Sequence, residues 1–301
     1  MAASFGERWT ALREERTSLV LGVQPSAAWL RAWSLRDDLR GAADFCDVLL
    51  TRAVGRVAAV KIQAPFFERF GPAGLALLAA FVERSRELGT LTIVDAKRGD
   101  ADDTMPAFAA AYLGPSSWLG ADAVTVVAYM GFDSLRPLCE AAARSGSAVF
   151  VVVRTSGHAA DPVQRACSAG NGTVAEWLGG EIAAANAGLA PGVPIGPVGA
   201  VVGAPPGEAR ALVARARGAL VSLPGLGREG RTLAHLEAAA GDAAARVLLP
   251  ITSGLLRDGP AGLRASVERW QRAIRASALG VSTRSRSEPD TSRSASARSR
   301  R

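Results

Sequence analysis

Two kinds of segment alternate along the chain. Short, continuously apolar and Val-rich runs recur at Ser18–Val23, Val57–Lys61, Leu91–Asp95, Ala123–Val127, Ala148–Val153, Val198–Val202, Ala219–Leu223 and Val247–Ile251. Such runs read as parallel strands buried on both faces. Between them lie stretches with the character of helices: Ala73–Leu88, Met105–Leu113, Ser134–Arg144, Val174–Ala187, Glu208–Ala216, Thr232–Ala239 and Ala261–Ser277. Eight strand–helix units in roughly 250 residues have the size of a (β/α)8 barrel. The predicted fold class is therefore α/β, a TIM barrel over residues 1–277. The competing doubly wound sheet carries a Gly-x-Gly-x-x-Gly turn after its first strand; here that place reads Gly22-Val23-Gln24-Pro25.

Composition narrows the function classes. A hydrophobic content of 49% is ample for one sizeable core. No apolar run is long enough to span a bilayer and the start lacks a signal-peptide pattern, so a cytoplasmic protein is expected. Cys46, Cys139 and Cys167 are odd in number and lack metal-ligand spacing, and His158 and His235 lie far apart, so reduced thiols and no metal are expected. The net charge of +7 is unevenly spread: Val281 to Arg301 holds six Arg against one Glu and one Asp, among many Ser. Residues 278–301 are therefore expected to be a disordered tail, and weak, salt-sensitive contact of that tail with nucleic acid is the one reading the basic charge supports.

Of the 35 Lys and Arg residues only two are lysines, Lys61 and Lys97, each at the end of a predicted strand. An ammonium gives up a proton far more readily than a guanidinium, so these two are the first candidates for chemistry. Lys97 lies in Asp95-Ala96-Lys97-Arg98-Gly99-Asp100. Residues two apart on a strand share a face, which pairs Asp95 with Lys97. Parallel strands joined through a helix often neighbour one another, which would bring Lys61 beside them. Two Lys and two Asp alternating in sign form a coupled array, unlike a solvated surface pair.

Barrel active sites lie where the strands end. Gln24, Lys61, Asp95, Lys97, Tyr129, Thr155-Ser156-Gly157, Pro224-Gly225-Leu226-Gly227 and Thr252-Ser253-Gly254 all fall there. The last two loops occupy the usual place of a phosphate grip.

Four segments carry a family resemblance: Val60-Lys61-Ile62-Gln63-Ala64-Pro65-Phe66-Phe67-Glu68-Arg69-Phe70-Gly71, the Asp95-x-Lys97-x-x-Asp100 motif, Ala121-Asp122-Ala123-Val124-Thr125 and Tyr129-Met130-Gly131-Phe132-Asp133-Ser134-Leu135. From about Phe5 to about Arg275 the chain resembles orotidine 5′-phosphate decarboxylases of the longer bacterial branch. The resemblance implies a homodimeric barrel that removes CO2 from orotidylate to give UMP, for pyrimidine biosynthesis, without metal or cofactor. It implies that Lys97 protonates C6, that Asp95 faces the substrate carboxylate, and that Lys61 and Asp100 complete the array, Asp100 from the partner subunit. Thr104 would also reach the neighbouring site, and Ser156 would face the pyrimidine amide.

The chain departs from the family pattern at several positions. Gln24 stands for an Asp that contacts ribose and the first lysine, Ala128 for Pro and Gly157 for Asn. Glu229 stands for the Gln after the seventh strand, and Ser253 for the phosphate-binding Arg after the eighth. Arg228 and Arg231 are the nearby cations that would compensate. Two further readings stay open: a related decarboxylase acting on another nucleoside or nucleotide, and a non-catalytic barrel whose basic tail binds nucleic acid.

Overall fold

The computed structural model describes residues 3–114, 116–168, 170, 172–188, 195–227 and 230–280. Ten strands occur among them: β1 (Leu19–Val23), β2 (Ala59–Gln63), β3 (Leu91–Arg98), β4 (Ala123–Val126), β5 (Ala148–Arg154), β6 (Cys167–Ser168), β7 (Gly172–Thr173), β8 (Val198–Val202), β9 (Val221–Ser222) and β10 (Val247–Ile251). Eight close into a barrel in the order β1-β2-β3-β4-β5-β8-β9-β10 and back to β1, and every pairing is parallel. β6 and β7 form a small antiparallel hairpin outside it. All eight predicted barrel strands are present, and the hairpin is an addition. β2 runs on to Gln63 and β3 to Arg98, so neither Lys61 nor Lys97 is the last residue of its strand.

Side-chain alternation divides the core in two. Val20, Ala59, Ile93, Ala123, Phe150, Leu220 and Leu248 point inward and fill the barrel. Leu19, Leu21, Val60, Ile62, Val94, Val124, Val149, Val151 and Leu249 point outward, under the helices. Continuously apolar strands are what this double burial requires.

The lower mouth is sealed by the helix Phe5–Arg16. A capping box between Ser4 and Glu7 starts that helix. Its Phe5 meets Phe150 edge to face at 5.8 Å. Arg8 reaches Asp122 at 2.5 Å, and the other Asp122 oxygen accepts from the Thr92 N–H and hydroxyl, each at 2.8 Å. Polar inward positions collect instead at the upper mouth.

The last helix, Gly259–Arg275, is followed by buried Leu279, whose carbonyl accepts from Arg13 at 3.1 Å. Packed chain thus continues to Leu279, past residue 277, and residues 281–301 lie outside the described residues. No helix among the described residues is long and apolar enough to cross a membrane.

Candidate active site

Along β1 to β4, the inward positions above the apolar filling are Gly22, Lys61, Asp95 and Thr125. The sheet register sets Gln63 beside Asp95 and Lys61 beside Ile93, so Lys61 stands below Asp95 and extends up to it. Lys61 Nζ lies 2.8 Å from Asp95 Oδ2. Lys97 Nζ lies 2.6 Å from Asp95 Oδ1, which also accepts from the Thr125 hydroxyl at 2.8 Å. Both carboxylate oxygens of this buried residue are thereby engaged. Burial alone would raise the Asp95 carboxyl; the charges of Lys61 and then Lys97 outweigh it and hold it at about 2.

Lys97 is the solvent-facing member: its side chain is 50% exposed, against 14% for Lys61 and 4% for Asp95. Its backbone has φ +49°, the left-handed region that non-glycine residues seldom occupy. The β3–β4 register shifts between Val94 and Arg98, so a bulge accompanies that residue. The Lys97 N–H donates to Thr125 at 3.1 Å, and Val127 donates to the Arg98 carbonyl at 2.8 Å, which pins the bulge on both sides. Arg98 is anchored by Glu68 and by the Tyr112 hydroxyl. Such a conformation costs on the order of 1–3 kcal/mol and persists only where surroundings enforce it. Here it turns the ammonium back over Asp95.

A cleft of about 480 Å³ opens beside this cluster. Its walls include Gly22, Gln24 and Trp29, then Lys61 and Gln63 of β2, Ser156 after β5, Pro224, Gly225 and Leu226 after β9, and Thr252 and Ser253 after β10. Gly22 is required by close approach: a Cβ there would stand 1.9 Å from the Thr252 hydroxyl oxygen. Gly225 and Gly227 have φ of +108° and +76°, which lets the loop after β9 turn tightly.

Of the residues singled out in the sequence, Gln24, Lys61, Ser156, Pro224, Gly225 and Ser253 line the cleft, and Asp95 and Lys97 adjoin it through the ion pairs. Four do not. Gly227 and Gly254 pack against each other, and the Gly254 carbonyl accepts from Trp270 at 3.0 Å. Thr104 lies half-buried beyond β3, its hydroxyl near Asp103. Asp100 does not join the array within one chain: its carboxylate accepts from the Ala101 N–H at 2.8 Å and makes no salt bridge among the described residues. The bulge at Lys97 carries the chain away before Asp100 is reached. Tyr129 is 81% exposed and outside the cleft lining. Arg228 and Glu229 lie outside the described residues.

Arg231, expected as a compensating cation, donates to the carbonyls of Pro224 and Gly203 and so clamps the loops after β9 and β8. Arg257, not singled out in the sequence, donates to the carbonyls of Gly227 at 3.0 Å and Ser253 at 3.2 Å. Gln63 and Thr125 were also missed. Gln63 donates to the Gln24 amide oxygen at 3.1 Å and is two residues past Lys61, so strand period alone points to it. Thr125 is the one polar residue in an otherwise apolar run.

Residues 38–246 match the model of the orotidine 5′-phosphate decarboxylase / HUMPS family. Orotidine 5′-phosphate decarboxylase of Salinispora arenicola is 42% identical over 279 residues, covering 92% of this chain and 99% of that one. The Myxococcus xanthus protein of the same name is 40% identical, covering 91% and 97%. A crystal structure assigned to orotidine 5′-phosphate decarboxylase from Streptomyces avermitilis superposes with a TM-score of 0.85 at 37% identity, covering 91% and 95%.

Proposed function

Because this chain belongs to the orotidine 5′-phosphate decarboxylase / HUMPS family, we propose that its cleft takes orotidine 5′-phosphate and converts it to UMP and CO2. The observation that carries this reading is the buried Asp95 held between two ammonium groups at the mouth of the cleft. The C6–carboxylate bond breaks, CO2 leaves, and the electron pair stays on C6. Lys97 Nζ then gives C6 a proton, and the resulting amine regains one from water. No redox partner is consumed. A fixed ammonium is in place before charge develops at C6, so little reorganisation is needed. Asp95 faces the substrate carboxylate and is kept ionised by its two partners.

Ser156 sits on the cleft wall where it would meet the pyrimidine amide; the loops after β9 and β10 would take the phosphate, and Gln24 with Gln63 the ribose. Asp100 and Thr104 are assigned to the site of a second copy. The exposed Tyr129 and Met130 at the same mouth, 81% and 60% accessible, are apolar surface that such a second copy would cover. Mixing Lys97→Ala with Asp100→Ala protein should restore activity that neither shows alone, because one hybrid site is intact. No recovery after verified subunit exchange would sink shared sites.

A second reading, the same chemistry on a different ribosyl pyrimidine, is favoured by Gln24 and Ser253. Purified protein given orotidylate and, separately, orotidine decides between them by product mass and CO2 release. UMP from orotidylate in clear preference supports the first reading; turnover of orotidine alone supports the second, and no release from either contradicts both.

A further inference from the structure

Arg154 is a buried cation that the proposed reaction leaves unused. It ends β5, two residues before Ser156. Its Nε donates to Glu208 at 2.9 Å and its Nη2 to Asp161 at 2.5 Å. Its Nη1 donates to the Thr155 carbonyl at 2.9 Å and to Gln164 Oε1 at 3.0 Å. That Gln164 oxygen also accepts from the Thr155 N–H at 2.9 Å and the Thr155 hydroxyl at 3.2 Å. One amide oxygen therefore gathers three donors, two of them on the residue preceding Ser156.

The other side of Ser156 is bare. At Gly157 an added Cβ would find no atom within 4 Å. Behind Ser156, Gly203 donates to the Arg154 carbonyl at 2.6 Å, and a Cβ at Gly203 would stand 2.8 Å from the Ser156 nitrogen. Ser156 is thus held from the Arg154 side and through the backbone alone. A planar guanidinium with three occupied nitrogens has a fixed direction, as a flexible ammonium would not.

We propose that Arg154 and Gln164 are positioning residues for Ser156: together they fix the backbone that presents its hydroxyl at the cleft wall, where it recognises the amide edge of a bound pyrimidine. This rests on the reading that the cleft takes a pyrimidine nucleotide. The network belongs to β5, the segment after it and the helix Pro206–Arg215, and none of its members lines the cleft, whereas the next residue, Ser156, does.

Gln164 gives the cleaner test, since losing buried Arg154 threatens the fold. Gln164→Met removes the acceptor at similar length; Gln164→Glu keeps an oxygen there. With thermal unfolding confirming folded protein, Gln164→Met should raise KM for orotidylate about tenfold, the effect of one lost hydrogen bond. Its kcat should change less than about threefold, and Gln164→Glu should return KM to within about threefold of wild type. In a Ser156→Ala background Gln164→Met should add nothing, because the two act as one unit. Additive losses, or equal losses with Met and Glu, overturn the proposal while wild-type turnover stands. Wild-type protein that leaves orotidylate unconverted removes the functional reading, and the proposal with it.

Discussion

The two ends of the cleft are built differently. At the end formed by β2, β3 and β4, Asp95 accepts from Lys61, Lys97 and Thr125, and a strained backbone at Lys97 is enforced from both sides. At the end formed by the loops after β9 and β10, the arginines are turned to main-chain carbonyls: Arg231 to Pro224 and Gly203, Arg257 to Gly227 and Ser253. The one cation among the described lining residues is Lys61, at the opposite end. Groups that do the chemistry must be fixed before charge moves, and here they are locked by opposite charge. Groups that hold a ligand have more than one solution, and here the arginines stiffen the loops.

Breaking the locked end should cost most. Lys97→Arg keeps the positive charge and the Asp95 partner but holds its protons; steady-state turnover of orotidylate should fall about 10³-fold or more. Activity within tenfold of wild type would remove proton donation from the role of Lys97. Asp95→Asn should lower turnover on the order of a hundredfold and also change stability against pH. The folded Asp95 carboxyl lies at about 2, below the ordinary value near 4. Its ionised form therefore contributes stability at pH above about 4, and that contribution fades as pH falls towards 2. The amount is about 2–3 kcal/mol. Urea titrations between pH 5 and 2 should show wild type losing its advantage over the Asn variant across that window; parallel curves would show that the Asp95 carboxyl is not held below its ordinary value.

Strengthening the other end should have a moderate effect in the opposite direction. Ser253→Arg would place a guanidinium in the cleft wall, and one charge-assisted contact to phosphate contributes roughly 1.5–3 kcal/mol. UMP should then bind at least about tenfold more tightly, with uridine unchanged. Calorimetry with both ligands checks this, and equal gains for both would argue against a phosphate at that loop. The smallest effect is expected at the C-terminus. Truncation after Gly280 spares buried Leu279 and removes almost no apolar residues, so turnover and Tm should stay within error. A loss of several degrees would show that the tail docks on the barrel.

The barrel was legible because its strands are buried on both sides, which writes them as unbroken Val-rich runs that cannot be mistaken for amphipathic surface segments. Ile93, Ala123 and Phe150 owe their places to that double burial. The pairing of Lys61 and Lys97 with Asp95 was legible because strand period and strand adjacency are both short-range rules. What was not legible depends on where long side chains turn. Nothing in the composition around Arg231 or Arg257 says that each bends towards a backbone carbonyl. The position of Asp100 depended on a bulge and a positive φ at a lysine, a local strain that pattern does not encode. Arg154 directly follows the apolar run Ala148–Val153; only the folded chain brings Asp161, Gln164 and Glu208 around it.

The central claim is that a lysine fixed against Asp95 completes the decarboxylation. It is tested most directly by measuring kcat on orotidylate for wild type and Lys97→Ala, with the Kd for UMP determined on the same preparations. The account predicts a fall in kcat of about 10³-fold or more with UMP affinity changed less than about tenfold, since the lost interaction belongs to the transition state. A variant that retains more than a tenth of wild-type kcat would contradict it.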